Sequence, residues 1–239
     1  MIWCSSKNAT RLSIVMGSPF LATHLMLRTN DRSLPRIQIQ DRQPMSADPH
    51  HIHPRKLEIV HAAVTNFLEK GYHQTGVRDI VGQAGISLGN LYNHFKGKEA
   101  ILVFIAEIEG QELSDFIDRL SSTDDPRATL QWFITDYAAY VALPENALLG
   151  VEILTEALRN PAIADVFGRN RDRLIAALAG CLTQGGKSGV FASLIDPRVV
   201  ACMILDTLEG QGLRSLSLPA HSNLAPDAIG SFILNGLKP

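Results

Sequence analysis

The sequence predicts an all-α fold, with a small three-helix head followed by a larger helical body. Apolar residues recur three and four positions apart through most of residues 54–239, which is the spacing of one buried helix face. No segment alternates apolar and polar residues as a half-buried strand does, and proline and glycine separate the periodic segments. With 239 residues the chain can bury a core without disulfides.

Residues 1–50 precede the periodic part of the chain and mix Pro, Ser, Asn, Asp and Arg without helical or strand spacing. Three interpretations are open, in decreasing order of preference. Translation starts at Met45, the segment is a disordered arm, or its apolar run at 13–27 is a targeting signal. The targeting signal ranks last because Ser, Pro, Thr and His interrupt the run, which is also too short to span a membrane.

The first two helices of the head are predicted from spacing and punctuation. The first covers residues 55–70. Pro54 suits its first turn, because a residue there needs no backbone N–H, and Gly71 suits its end. The second covers about 77–84, with the Thr75 side chain capping its start.

A tight turn at Gly85 and a third helix at 88–94 follow. Glycine adopts the left-handed backbone that such a turn needs, and Ser87 is a suitable N-cap. Leu91 and Phe95, four positions apart, are predicted to anchor this short helix to the first two. Its other side is left exposed.

The body is predicted to begin with one long helix from residue 98 to about 120. Five more helices are expected between Pro and Gly stops, at roughly 126–143, 146–160, 161–184, 196–213 and 226–237. Residues 199–205 are seven consecutive non-polar residues, which leaves that helix no polar face over two turns. Such a helix is buried on all sides, either within the monomer or against a partner chain.

Charge is distributed unevenly along the chain. Residues 1–53 carry 6 Lys and Arg against 3 Asp and Glu, residues 54–99 carry 6 against 4, and residues 100–239 carry 10 against 17. The mildly basic head is compatible with binding to phosphates, whereas DNA would repel the acidic body. Cys4, Cys181 and Cys202 are too few and too scattered for a disulfide framework, which favours a reduced, cytoplasmic setting away from any membrane.

The third helix presents residues suited to reading double-stranded DNA. Gly89 adds no bulk, so the helix can approach the major groove, and the amides of Asn90 and Asn93 can bond base edges. Donors suited to phosphate oxygens surround it, namely Thr75, Ser87, Tyr92, His94 and Lys98, with Arg78 facing outward on the second helix. The alternative is an ordinary helix hairpin in which these residues are caps and core.

The head resembles the N-terminal signature of the tetracycline-repressor (TetR) family of bacterial regulators over about 50 residues, with the pattern TxxxxIVxxAGISxGxLYxHFxxKE at 75–99. This resemblance implies an all-helical homodimer with a DNA-binding head and a ligand-binding body, whose last two long helices form a four-helix interface. It also implies that Thr75, Ser87, Tyr92, His94 and Lys98 contact phosphates, and that Leu88, Gly89, Asn90 and Asn93 face bases. A 50-residue leader is unusual for the family.

Aromatic residues of the body are predicted to line an apolar pocket for an effector. The set consists of Trp132, Phe133, Tyr137 and Tyr140 on one helix, together with Phe104, and with Phe116 and Phe167 as further candidates. Plain core packing is the alternative, because residues four apart share a helix face. Glu152 and Glu156 are also four apart, and either one, if it pointed inward unpaired, would favour a cationic or hydrogen-bond-donating effector.

Catalytic, cofactor and metal motifs are absent from the sequence. From residue 100 onward the only histidine is His221, and Cys181 and Cys202 have no adjacent basic partner. No glycine-rich phosphate loop occurs, and His50, His51 and His53 lack Cys or acidic partners at ligand spacing. No enzyme activity, cofactor or metal is therefore expected.

The sequence thus predicts a ligand-responsive transcriptional repressor, a homodimer that a small molecule releases from a palindromic operator. Its expected parts are a leader at 1–50, a helix-turn-helix DNA-binding domain at 51–97 and a ligand-binding and dimerisation domain at 98–239. The alternative is a helical enzyme or scaffold whose head is a protein-interaction hairpin. Binding to non-specific DNA at low salt separates the two.

Overall fold

The computed structural model describes residues 53–194, 196–217 and 226–239. Over these ranges the regular structure is ten α-helices without a strand, which confirms the all-α prediction. The helices are α1 (Pro54–Lys70), α2 (Val77–Ala84), α3 (Leu88–His94), α4 (Lys98–Glu112), α5 (Ser114–Ser121), α6 (Pro126–Val141), α7 (Pro144–Ala157), α8 (Pro161–Lys187), α9 (Pro197–Ser217) and α10 (Pro226–Gly236). The predictions for residues 1–50, His51 and His221 lie outside the described residues.

The head consists of α1, α2 and α3 packed around shared apolar residues. Ile80 from α2 and Leu91 from α3 are fully buried, and Phe95 just after α3 is nearly so, which confirms the predicted anchors. Burying one such side chain contributes roughly 1.5–3 kcal/mol. A helix of seven residues is far too short to be stable by itself, so this packing is what holds α3 in place.

Two apolar clusters divide the molecule, and their boundary does not fall at residue 97. The first cluster joins the head to α4, whose Ile101, Leu102 and Ile105 are buried in it, and it also takes in Ile163 from α8. The second cluster lies in the body, around α6, α8 and α9. Helix α8 packs against α4, α5, α6, α7 and α9, and it is therefore the central support of the body.

The predicted long helix at 98–120 is wrong, because the structure divides it at Leu113 into α4 and α5. Two local features weaken the helix there. Gly110 lacks a Cβ and faces Asn170 so closely that a Cβ would lie 2.8 Å from its Oδ1, and the Ser114 hydroxyl donates to the Gln111 carbonyl. Glycine and such side-chain bonds both compete with helical hydrogen bonding.

The predicted end of the helix at 161–184 also differs, because α8, the longest of the described helices, continues past Gln184 to Lys187. Gly189, with φ of 73°, is the residue whose left-handed backbone follows the helix end. Gly185 lies inside the helix for a packing reason, since a Cβ there would overlap the Phe191 ring. Gly185 and Gly186, which the sequence predicted to end the helix, therefore lie inside it.

The Thr75 side chain does not cap α2, contrary to prediction. Gly76 is the N-cap residue, and the Asp79 carboxylate accepts from its backbone N–H at 2.8 Å. Thr75 is buried, with 1% of its surface exposed, and its hydroxyl lies within hydrogen-bonding distance of the Gly71 and Asn66 carbonyls. A hydroxyl directed inward in this way is not available to the helix start.

The contact between Gly185 and Phe191 gives a stability prediction with an internal control. Gly185→Ala should destabilise the protein by about 1–3 kcal/mol, because the ring of Phe191, itself 2% exposed, has no room to move. Gly186→Ala meets its nearest foreign atom at 3.7 Å and should be neutral or stabilising by up to about 1 kcal/mol. Urea denaturation measures both, and equal effects would contradict the packing argument.

Candidate functional site

The turn between α2 and α3 orients α3 outward. Gly85 adopts a left-handed conformation with φ of 64° and ψ of 34°, as predicted. The Ser87 hydroxyl accepts from the Asn90 N–H at 3.2 Å, which confirms the predicted N-cap. Because Leu91 faces the core, the opposite side of α3 is directed away from the protein.

The outward side of α3 is shallow and exposed. Leu88 and Tyr92 are 40% and 51% exposed, Asn93 is exposed, and a Cβ at Gly89 would meet no atom within 4 Å. Arg78 is exposed on α2, and His94 is half-buried with its ring centroid 5.3 Å from that of His53. These residues form one continuous surface that can enter a groove.

Asn90 differs from the other residues predicted to face bases. Its side chain is half-buried, and its Oδ1 is buried without a hydrogen-bond partner among the described residues. A buried acceptor left unpaired carries a free-energy cost, which a donor brought by a partner or a rotation of the amide would remove. The free head therefore does not present this amide fully to the outside.

Two residues predicted to contact phosphates are directed into the protein instead. The Thr75 hydroxyl is buried, as described above. The Lys98 ammonium donates to the Tyr72, His73 and Thr75 carbonyls at 2.8, 3.3 and 3.3 Å, and it lies 4.4 Å from the centroid of the Tyr72 ring. With three acceptors for its three hydrogens, Lys98 acts as a brace for the turn between α1 and α2.

Phe104, predicted to line the effector pocket, belongs to the core shared by the head and α4. It is 8% exposed, it packs edge-on against Phe95, and the Lys56 ammonium lies 4.9 Å from its ring centroid. The sequence pattern shows that Phe104 is on a buried helix face, but it does not tell which of the two apolar clusters that face joins. Phe167, a further candidate, packs against the same cluster as Phe104.

Glu152 and Glu156 contact the head and not the inside of the body. Glu152 Oε2 accepts from the Tyr72 N–H at 2.7 Å. Glu156 is buried, and its Oε2 lies 3.1 Å from Nε2 of His73, close enough for an ion pair but without the alignment of a hydrogen bond. Glu152 is therefore paired, and the premise for a cationic effector is not met there. The buried Glu156 Oε2 has no hydrogen-bond partner among the described residues, but it faces the exposed His73 of the head and not the inside of the body.

The remaining predicted pocket residues lie together in the body. Phe116 of α5 makes ring contacts with all four, Trp132, Phe133, Tyr137 and Tyr140, with centroids 5.5–5.9 Å apart. Phe133 and Tyr137 are buried, whereas Trp132 and Tyr140 are half-buried. Arg119 places its guanidinium carbon 3.9 Å from the Trp132 ring centroid. We call these five aromatic residues the aromatic cluster.

A polar network borders the aromatic cluster, and sequence reasoning missed it. The Tyr137 and Tyr140 hydroxyls donate to Glu209 at 3.0 Å and Glu112 at 3.1 Å. Arg171 pairs with Glu209 and Asp206, and the Asn170 amide donates to Glu109 at 2.8 Å. Burial raises the pKa of Tyr137 well above its ordinary value. The sequence feature that could have indicated this network is the presence of Glu109, Glu112 and Glu209 in largely apolar helical stretches.

A cleft of about 640 Å³ lies where the head meets the body. Its lining includes Tyr72, His73, Lys96, Lys98 and Glu156. Burial, followed by the charges of Glu156 and Glu99, raises the pKa of Tyr72 to about 12, so its hydroxyl stays neutral. The cleft is thus lined both by the α1–α2 turn and by Glu156 of α7.

With this geometry in place, comparison with known proteins identifies the family. A model of bacterial regulatory proteins of the tetR family matches residues 59–103. The HTH-type transcriptional repressor KstR2 of Rhodococcus jostii (strain RHA1) is 31% identical over 158 residues, which cover 64% of this chain and 76% of the repressor. The chain belongs to the TetR family of bacterial transcriptional regulators. As a family member it is a DNA-binding regulator and not an enzyme.

Other family members are similar over the same region. The fatty acid metabolism regulator protein of Bacillus subtilis (strain 168) is 29% identical over 160 residues, covering 65% of this chain and 80% of that protein. The crystal structure of Bacillus subtilis FadR in complex with stearoyl-CoA superimposes with a TM-score of 0.66 at 24% identity, over 76% of this chain and 98% of that one. The likeness to the FadR crystal structure shows that the two proteins share a fold.

Two negative findings concern only the parts of the chain that the structure describes. None of the helices there has the length and apolar character needed to cross a membrane. No group of three or more His, Cys, Asp and Glu side chains there is arranged to hold a metal ion.

Glu109 gives a prediction about pH. Burial, followed by the nearby charges of Glu112 and Glu209, raises its pKa from 4.5 to about 7, although the Asn170 hydrogen bond acts in the opposite direction. The folded state therefore holds this proton more tightly than the unfolded chain, and stability is lost as pH rises from about 4.5 through 7. Glu109→Gln keeps an acceptor for Asn170. It should be near neutral at pH 4.5 and stabilising by at most about 3 kcal/mol at pH 8.

Urea denaturation at the two pH values measures this difference. Glu107→Gln, at an exposed position of the same helix, is the control and should change the free energy of unfolding by less than about 0.5 kcal/mol at either pH. An equal effect of Glu109→Gln at both pH values would show that the buried carboxyl is not protonated.

Proposed function

We propose that this regulator is a repressor that binds a palindromic operator as a homodimer and leaves it when a small molecule binds the body. The observation that carries this proposal is the exposed, shallow side of α3, which its buried residue Leu91 directs away from the protein. The 51–97 region would act as the DNA-binding domain and the 98–239 region as the ligand-binding and dimerisation domain.

In this proposal α3 enters the major groove. Leu88, Gly89 and Asn93 face base edges, with Asn90 joining them after its amide turns outward. Ser87, Tyr92, His94 and Arg78 are placed around this side to meet phosphates. Thr75 and Lys98 support the head from within and have no direct role.

Helices α9 and α10 are the proposed dimer surface. Val199 and Met203 on α9 are 52% and 61% exposed, and Phe232 on α10 is 78% exposed. Three large apolar side chains left in water on two helices that both pack against α6 favour burial against a second copy of the chain. Such a dimer would place its two α3 helices at half-sites one DNA turn, about 34–36 Å, apart.

We further propose that the effector is an acyl-CoA thioester. Two similar proteins support this class, because one is a fatty acid metabolism regulator and the FadR crystal structure contains stearoyl-CoA. The aromatic cluster supplies apolar surface for an acyl chain. At its edge the exposed Arg119 guanidinium, stacked on the half-buried Trp132, is suited to a phosphate of the CoA portion.

Gel-shift titration with the DNA flanking the protein's own gene tests operator binding. Asn93→Ala should reduce the difference in affinity between operator and unrelated DNA, because the lost amide reads bases. Arg78→Ala should weaken both kinds of DNA about equally and lower the salt slope of log Kd by about one. Gln74→Ala, exposed in the turn before α2, is the control. A wild-type protein without salt-sensitive, sequence-specific binding would contradict the proposal.

Effector release can be measured on the same complex with stearoyl-CoA, stearate and CoA as separate ligands. Only the thioester should release the operator at low concentration and change the fluorescence of Trp132. Arg119→Ala should weaken stearoyl-CoA binding about tenfold, the equivalent of roughly 1.4 kcal/mol, and leave operator affinity unchanged. Arg127→Ala, exposed at the start of α6, should leave both unchanged. Equal potency of free stearate would rule out a CoA site.

A further inference from the structure

The turn between α1 and α2, residues 71–75, is a part of the head that the body holds directly through polar contacts. From within the head, the Thr75 hydroxyl contacts the Gly71 carbonyl at 2.9 Å and the Asn66 carbonyl at 3.1 Å. From α4, Lys98 donates to three carbonyls of the turn. The third support comes from α7, which belongs to the body.

The contacts from α7 are made by carboxylates at one end of that helix. Glu152 accepts from the Tyr72 N–H at 2.7 Å, and both of its oxygens would lie 3.6 Å from a Cβ at Gly71. Glu156 pairs with His73 across 3.1 Å. A hydrogen bond from a backbone N–H to a partly buried carboxylate is short, charge-assisted and directional, so it specifies one position of the turn relative to α7.

The position of the 71–75 turn determines the position of α2, because short hydrogen-bonded connections join the two. Gly76 caps α2 and bonds to the Asp79 carboxylate, which also accepts from Lys70 at the end of α1 at 2.7 Å. Tyr72 is 3% exposed, with its ring centroid 5.1 Å from that of Phe67 in the head core. A shift of the turn therefore moves α1 and α2 together, and α3 is packed against α2.

We propose that Glu152, assisted by Glu156, is the positioning residue that sets the orientation of the DNA-binding head relative to the body. Helix α7 packs against α6, which carries four residues of the aromatic cluster, and against α8 and α9. A rearrangement of the body that moves α7 acts on the head through its apolar packing against α1 and, directionally, through the Tyr72 N–H. The proposal rests on the proposed function for its consequence at the operator, but the contact itself does not depend on it.

The first measurement is amide hydrogen exchange of residues 71–75 in the full chain, without DNA or effector. Glu152→Ala should accelerate exchange of the Tyr72 amide about tenfold or more, because its acceptor is lost. Glu152→Gln retains an acceptor oxygen and should restore most of the protection. Gly150→Ala, on the same helix with no atom within 4 Å of the added Cβ, should behave as wild type.

The second measurement is operator affinity as a function of half-site spacing. The wild type should prefer one spacing sharply, whereas Glu152→Ala should bind a single half-site unchanged but lose most of that preference. His73→Ala changes an exposed side chain and should reduce the preference in the same direction if Glu152→Ala does not fold. A general loss of stability would weaken binding at every spacing, and Glu152→Gln would not rescue it.

The two measurements separate failure of this inference from failure of the proposed function. Unchanged exchange at Tyr72 in Glu152→Ala, or an unchanged spacing profile, would overturn the positioning role. Absence of wild-type operator binding would overturn the proposed function, and in that case the exchange experiment alone would decide whether α7 holds the turn.

Discussion

The structure depends on one constraint, which is that the seven-residue helix α3 is attached to the protein along only one of its faces. Helix α3 can bury Leu91 and little else, because its other residues must remain outside for the helix to fit a groove. So short a helix does not persist by its own hydrogen bonds. The Ser87 cap, the left-handed Gly85 and the buried Ile80 together replace the stability that length would supply, and each of them leaves the exposed side free.

The apolar core of the head is shared with the body. This core continues through α4 and reaches Ile163 of α8, so a small three-helix domain gains burial that it could not obtain alone. The α1–α2 turn, by contrast, is joined to α4 and α7 by polar contacts. Apolar contacts tolerate small shifts, whereas a charge-assisted hydrogen bond has one preferred geometry. The junction between head and body therefore combines apolar packing, which tolerates small shifts, with hydrogen bonds that specify one position of the turn.

Local features such as turns and helix bounds could be predicted from the sequence, whereas the packing and hydrogen-bond partners of individual side chains mostly could not. Caps, turns and most helix bounds follow from interactions within a few residues, which is why Gly85, Ser87 and the Leu91 anchor were found. Thr75, Lys98 and Glu152 are polar residues beside a predicted surface, but their partners are carbonyls or an N–H between 4 and 80 residues away. Spacing along one helix carries no information about such partners. Phe104 was misplaced for a related reason, because residues 101–108 belong to the first apolar cluster whereas residues 113–120 of the same predicted helix belong to the second.

The body also contains carboxylates beside buried aromatic rings, an arrangement that stability alone would not favour. Its centre brings Glu109, Glu112 and Glu209 next to buried aromatic rings, although an apolar core of the same volume avoids the cost of desolvating carboxylates. Part of this cost is offset by Arg171, Asn170 and two tyrosine hydroxyls. Departures from local rules concentrate at functional sites, where a ligand can exchange hydrogen bonds with groups that are already desolvated. The polar border of the aromatic cluster has this character, it lies one helix away from α7, and our proposal places the effector beside it.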